Sequence, residues 1–308
     1  MTREEIKVYA PATVSNVGPG FDLLGFALES PGDELMVRRN GTTKLVLYNE
    51  TDCELPTDTE LNVAAVAAAS LLRELHSYEG FDLVFKKKIH PGSGVGSSAA
   101  SCVAAVVGIN ELLGSPFETE ELLPFAMEGE KLASGATHAD NIAPALLGGI
   151  TLIRSNDPLD IKHIPYPDEL WCAVIHPHLE IKTAESRKLI PGTVPLETAL
   201  QQCGNLAGLV AGLSTGDYPL IGRSVNDLFA EPHRIHLLPD YEALKTSALN
   251  AGSVGTGLSG SGPSVFSLCR GEAMATEVGR IMHKHFSKRN IESRIYLSRI
   301  SPDGCKLI

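Results

Sequence analysis

The chain has 308 residues, 43% apolar and 20% charged, a composition that belongs to a folded globular protein with a large core. Its 26 basic and 37 acidic residues give a formal charge of −11, which argues against a nucleic-acid surface and requires any phosphate site to build its positive potential locally. With no apolar run near the ~20 residues of a membrane span, no apolar signal segment after MTREEIKVYA and six cysteines without CxxC spacing, the expectation is a cytoplasmic protein with no membrane partner, mostly buried free thiols, and neither a disulfide framework nor a zinc site.

In chain order, EIKVYAPATVSN, DELMVRR and TKLVLY alternate as strands do. Leu61, Ala64, Ala65, Ala68, Leu71, Leu72 and Leu75 fall at helical spacing, with Thr59 as the expected cap. FDLVFKKKI is a strand that runs into a glycine loop; Lys86, Lys87 and Lys88 fit a solvated strand end, with raising the local potential at the loop as the alternative. A helix follows from Ser97 to Leu113, stopped by Gly114 and Pro116, and another spans Glu118 to about Leu132. GGITLI and LWCAVIH are strands, and the proline-rich HIPYPDEL between them is the expected domain junction. The second half then brings a helix with Ala199, Cys203, Leu206, Val210 and Leu213 on one face, and a helix over Asp240–Asn250. Two short strands around GLSGSGPSVFSL come next, then a helix with Met274, Val278, Ile281 and His285 on one face, and the strand IESRIYLS. Helices on a mostly antiparallel sheet make an α+β protein.

The stretch IHPGSGVGSSAAS is the part hardest to explain as ordinary structure. Gly92, Gly94 and Gly96 permit left-handed backbone and a close approach to a ligand, and small residues then open a helix whose first N–H groups favour anions. The loop has neither the GKS of a Walker A motif nor the spacing of a dinucleotide fingerprint. Ser97 is expected to cap the helix and Ser98 to reach a magnesium ion.

PGSGVGSSAAS resembles the phosphate loop of the GHMP kinases, with Val95 where leucine is usual. Three further segments resemble motifs of that family in the right order: YAPATVSNVGPGFDLLGFAL, HADNIAPALLGG and GLSGSGPSVFSL. The resemblance therefore covers essentially the whole chain. It implies a two-domain fold, residues 1–165 similar to part of ribosomal protein S5 and residues 166–308 ferredoxin-like. It also implies a homodimer that uses ATP and Mg²⁺ to phosphorylate a small alcohol.

The same resemblance supplies roles. Pro91, Gly92, Ser93, Gly94, Val95, Gly96, Ser97, Ser98, Ala99, Ala100 and Ser101 would bind ATP, with Ser98 and Glu130 on Mg²⁺. The N-terminal motif has the form found where the acceptor is L-homoserine, an intermediate of threonine biosynthesis. Arg187 and Arg234 match positions that hold its carboxylate, a task suited to the planar guanidinium fork. Asp22 would take the ammonium, and Asn16, His138 and Gly260 would complete the acceptor site. Asp140, Asn141 and Thr183 would stand near the transferred phosphoryl group, where positioning can count for more than a base because the transition state is loose. Another small hydroxylated acid such as mevalonate, or a sensor without turnover, would need those arginines or the intact loop for something else.

Overall fold

The computed structural model describes residues 3–135, 138–179, 181 and 183–308. In the first half, β1 (Glu5–Ser15) and the long β2 (Leu24–Arg39) form an antiparallel ribbon, followed by the short β3 (Val46–Asn49). Then come α1 (Val63–Glu74), β4 (Phe81–Lys87), α2 (Ser97–Leu112), α3 (Leu123–Ser134), α4 (Ile142–Leu147), β5 (Ile150–Asn156) and β6 (Leu159–Ile164). The second half runs β7 (Leu170–Pro177), α5 (Thr183–Lys188), α6 (Leu196–Thr215), α7 (Tyr218–Ser224), α8 (Glu231–Arg234) and α9 (Tyr241–Asn250). It ends with β8 (Gly255–Leu258), β9 (Val265–Arg270), α10 (Glu272–Ser287), β10 (Ser293–Arg299) and β11 (Lys306–Leu307).

The first sheet is mixed, ordered β11-β1-β2-β4-β3 with β5 and β6 added beside β2, and its one parallel pair is β3–β4. The second sheet is antiparallel, ordered β10-β7-β9-β8. Ranked by appearance in the chain that order is 4-1-3-2, with α10 crossing from β9 to β10, the pattern of the ferredoxin-like split βαβ. The first sheet draws on residues up to 164 and the second on 170–299, but β11 returns to pair with β1 through Val8–Leu307 and Tyr9–Lys306. A division after 165 thus leaves the last strand with the N-terminal sheet.

Helix α2 is buried on nearly every side because alanines, glycine and valine let it sit between α1, α3 and the sheet. Its small side chains fix how closely the helix and its N-terminal loop approach β1.

Several local expectations change. The cap of α1 is Asn62, whose extended backbone lets Oδ1 accept from the Ala64 and Ala65 amides, so Thr59 is left in the preceding turn. Leu61 falls outside the helix and is 61% exposed. On α6 the inward residue is Gln202, not Cys203, which faces outward; Cys102, Cys172 and Cys269 are buried and all six thiols are free. On α10 the buried face carries Ala275, Met282 and Phe286, with Met274 at its margin. No helix among the described residues is long and apolar enough to cross a membrane.

Candidate active site

One cavity of about 490 Å³ lies where the glycine loop, the β1–β2 turn and the second half of the chain meet. Its polar floor is the loop from Pro91 to the start of α2. Gly94 has φ +74°, and a Cβ there would come 2.7 Å from the Gly262 carbonyl oxygen. Gly96 has φ +68°, and its Cβ would collide with Thr13 Oγ1 at 1.9 Å. Only glycine fits both positions. The Thr13 amide donates to the Val95 carbonyl at 3.1 Å. Ser259 Oγ donates to the Gly94 carbonyl at 2.7 Å and Ser264 Oγ to the Ser93 carbonyl at 2.5 Å. With its carbonyls tied back by the far motif, the loop leaves amides and a helix N-terminus to face an anion.

The eleven loop residues do not contribute alike. Pro91, Gly92, Gly94, Gly96, Ser97, Ser98 and Ser101 border the cavity. The side chains of Ser93, Val95, Ala99 and Ala100 are fully buried away from it, so these residues can meet a phosphate only through backbone. Ser97 does not cap α2: Gly96 holds the cap position in a left-handed conformation, and Ser97 Oγ donates instead to the Ile89 carbonyl at 2.8 Å. Ser101 Oγ is held by Asp33 at 2.7 Å.

The lysines before the loop are not one solvated strand end. Lys86 pairs with Glu50 and Lys87 is exposed, but the Lys88 side chain is only 4% exposed. Lys88 Nζ lies 2.9 Å from Asp33 Oδ2 and donates to the Ser97 carbonyl at 2.8 Å and to Ser97 Oγ at 2.5 Å. In the sequence Lys88 reads as part of a solvated strand end that could raise the local potential and Asp33 as the first residue of the strand DELMVRR; nothing there pairs them.

Beside the loop, Ser98 Oγ donates to Glu130 Oε2 at 2.6 Å, joining the start of α2 to α3. Glu128 is exposed, whereas Glu130 is buried at the cavity wall. Burial lifts the Glu130 carboxyl to about 7 against the opposing bond from Ser98. A hydroxyl and a carboxylate are hard oxygen donors that fit magnesium, with phosphate oxygens and water completing its shell. Among the described residues no group of three or more His, Cys, Asp or Glu could hold a metal unaided.

The end of the cavity that the resemblance assigns to the acceptor is built from strained backbone and paired charges. Asn16 and Asp22 have φ +68° and +57°, conformations uncommon for any residue but glycine. Asn16 stabilises the turn by accepting from the Asp22 amide at 3.1 Å and donating to the Gly260 carbonyl at 2.9 Å. Arg187 holds Asp22 with two bonds, 2.6 and 3.1 Å, so these residues satisfy each other across the cavity. Arg234, 3% exposed, donates to the Gly260 carbonyl at 3.1 Å, while its buried Nε has no hydrogen-bond partner among the described residues. The Phe21 ring sits 5.4 Å from the Arg187 guanidinium and 5.6 Å from that of Arg234.

His138 Nδ1 is 3.7 Å from Asp22 Oδ2, beyond hydrogen-bond distance, and among the described residues neither ring nitrogen has a hydrogen-bond partner. Burial pushes the imidazole below its usual range. Asn141 lines the cavity and is anchored by accepting from Thr13 Oγ1 at 2.7 Å and donating to Ser15 Oγ at 2.9 Å. Asp140 is buried at the cavity wall, and burial together with the nearby Asp22 charge raises its carboxyl to about 7. Thr183 begins α5, but its side chain lies outside the described structure. At the other end, Leu55, Pro56, Leu61, Val63 and Phe85 make an apolar recess of the same cavity.

An anion-binding loop next to a pocket of paired charges defines the class as a small-molecule phosphotransferase. Residues 62–149 match the GHMP kinases N terminal domain and residues 196–288 the GHMP kinases C terminal domain. The homoserine kinase of Chlorobium phaeobacteroides is 42% identical over 97% of this chain and 98% of its own length. That of Pyrococcus abyssi is 35% identical over 95% and 96%. A crystal structure of homoserine kinase from Cytophaga hutchinsonii superposes with a TM-score of 0.95 at 45% identity, covering 100% of this chain and 98% of that one. The chain belongs to the homoserine kinase family of the GHMP kinases.

Proposed function

We propose that the protein transfers the γ-phosphoryl group of ATP to the terminal hydroxyl of L-homoserine, yielding O-phospho-L-homoserine for threonine biosynthesis. The observation that carries this reading is a single cavity joining the Pro91–Ser98 loop to Arg187, Asp22 and Arg234. In it the loop amides take the phosphates, and the apolar recess around Leu55, Pro56 and Phe85 takes the base. Two guanidiniums with a carboxylate beside them complement an α-carboxylate and an α-ammonium held on one carbon. The buried Nε of Arg234 is a donor available to that end of the acceptor, and a neutral His138 offers one donor and one acceptor nitrogen.

Ser98 and Glu130 would hold Mg²⁺. The bound ion neutralises phosphate charge that grows in the transition state. Thr13, Ser15 and Asn141 lock the wall of the acceptor pocket, which keeps the hydroxyl in line with the phosphorus. As the new P–O bond forms and the bond from the γ-phosphorus to the bridging oxygen breaks to release ADP, ionised Asp140 receives the hydroxyl proton, for which its raised pKa of about 7 suits it better than an ordinary carboxylate. The same reading includes a cytoplasmic homodimer, which sedimentation would measure.

The deciding experiment is a coupled ADP-release assay with ATP, Mg²⁺ and a panel of L-homoserine, 4-hydroxybutyrate, mevalonate and galactose. Turnover should be confined to L-homoserine. Turnover on mevalonate or galactose without L-homoserine overturns the acceptor assignment, and nucleotide binding with no transfer to any acceptor would make the protein a sensor.

A further inference from the structure

The phosphate loop contains no lysine, yet an ammonium lies beneath it. Lys88 Nζ makes three contacts, to Asp33 Oδ2, the Ser97 carbonyl and Ser97 Oγ. Asp33 is fully buried and accepts from both sides of the loop: from the Ile89 amide at 2.7 Å on the entering strand and from Ser101 Oγ at 2.7 Å on the leaving helix. Ser97 Oγ closes the circuit by donating to the Ile89 carbonyl.

We infer that Lys88 and Asp33 form a charge-balanced staple that fixes the spacing between the two limbs of the phosphate loop and so sets the affinity for the triphosphate. The inference rests on the loop being the ATP site. Lys88 borders the cavity, but its Nζ is engaged by Asp33 Oδ2, the Ser97 carbonyl and Ser97 Oγ, so it acts through Ser97 and Asp33; it is a positioning residue. Its charge has a second effect. Asp33 lies below a helix N-terminus that must accept a polyanion, and without the lysine its carboxylate would oppose the phosphates. The buried pair thus lets the protein use a carboxylate to tie down the loop without spoiling the local potential.

The test measures MgATP-analogue binding by calorimetry and steady-state KM for each substrate in wild type, Lys88→Met, Asp33→Asn and the double variant. Wild type that binds no nucleotide would refute the ATP site itself, independently of the staple. For folded Lys88→Met the dissociation constant for nucleotide should rise about tenfold while acceptor KM stays within about twofold, in keeping with the coupling of contacting charged pairs. The double variant should bind no more weakly than Lys88→Met alone, because the residues act as one unit. Unchanged nucleotide affinity, equal losses toward both substrates, or additive losses in the double variant would each overturn the inference. Should Lys88→Met leave a buried charge that prevents folding, Asp33→Asn and the uncharged double variant carry the test: each must weaken nucleotide binding selectively, and wild-type affinity in either overturns it.

Discussion

At the scale of single residues, two buried carboxylates near neutrality divide the proposed chemistry. Glu130 faces Ser98 and the loop, and Asp140 lines the cavity at the proposed acceptor end. Glu130→Gln keeps the size and the ability to meet Ser98 but removes the negative charge proposed to hold the metal. Turnover should fall by about 10²-fold or more with the circular dichroism spectrum unchanged, since transition-state charge would lose its counter-ion. Wild-type turnover would refute the metal role. For Asp140 the pH dependence is informative. A carboxyl at about 7 when folded, against 3.8 ordinarily, holds its proton more tightly in the native state. Its burial therefore costs nothing below the unfolded value; the cost grows as pH rises from there and is complete above about 7, reaching about 4 kcal/mol at most. Denaturant titrations of Asp140→Asn should show a stability curve flatter than wild type between these limits, and kcat should fall with acceptor KM little changed. Parallel stability curves would mean that Asp140 does not titrate in this way.

At the scale of elements, the sequence exposes what local chemistry dictates and hides what depends on helix rotation. The glycine loop, the strands around it and Glu130 were legible because φ > 0 positions, alternation and motif spacing leave direct marks. Lys88 was not, because a lysine at a strand end has the same local pattern whether it meets solvent or a buried aspartate. Likewise the apolar spacing of α6 favoured Cys203 as the inward residue, whereas the helix turns Gln202 inward. Gln202 Nε2 donates to the Pro19 carbonyl and to Asp227 Oδ1, both at 3.0 Å, and its Oε1 accepts from the Leu228 amide at 2.8 Å. Asp227 in turn accepts from the Phe229, Ala230 and Glu231 amides and sets the start of α8, which ends in Arg234. One glutamine thus aligns the β1–β2 turn with the helix of the second arginine. Gln202→Ala should raise the L-homoserine KM about tenfold through misaligned acceptor groups, the scale expected for stranded buried hydrogen-bonding groups, with the ATP KM unchanged. Equal effects on both substrates would instead mark general loosening.

At the scale of the whole molecule, the two sheets behave as one structure because the core and the site both cross between them. Residues of the second sheet, among them Cys172, Val174, Phe266 and Leu268, belong to the same apolar cluster as β1, β2 and α2. Phe26 of β2 and Phe266 of β9 meet edge to face at 6.4 Å and 86°. The Gly260 amide bonds the Ser15 carbonyl at 3.1 Å, and Ser259 and Ser264 hold the phosphate loop from the far side. A loop supported by both halves cannot keep its shape if one half opens, so phosphate binding should be lost in the same step as the fold. Phe266→Ala tests this because it deletes a fully buried ring at the junction. Chemical denaturation should lose about 3–5 kcal/mol, with the far-ultraviolet signal, Trp171 fluorescence from β7 and nucleotide protection changing at one shared midpoint. Separate midpoints, with nucleotide still protecting a folded first sheet, would show that the halves unfold independently and that the second does not support the loop.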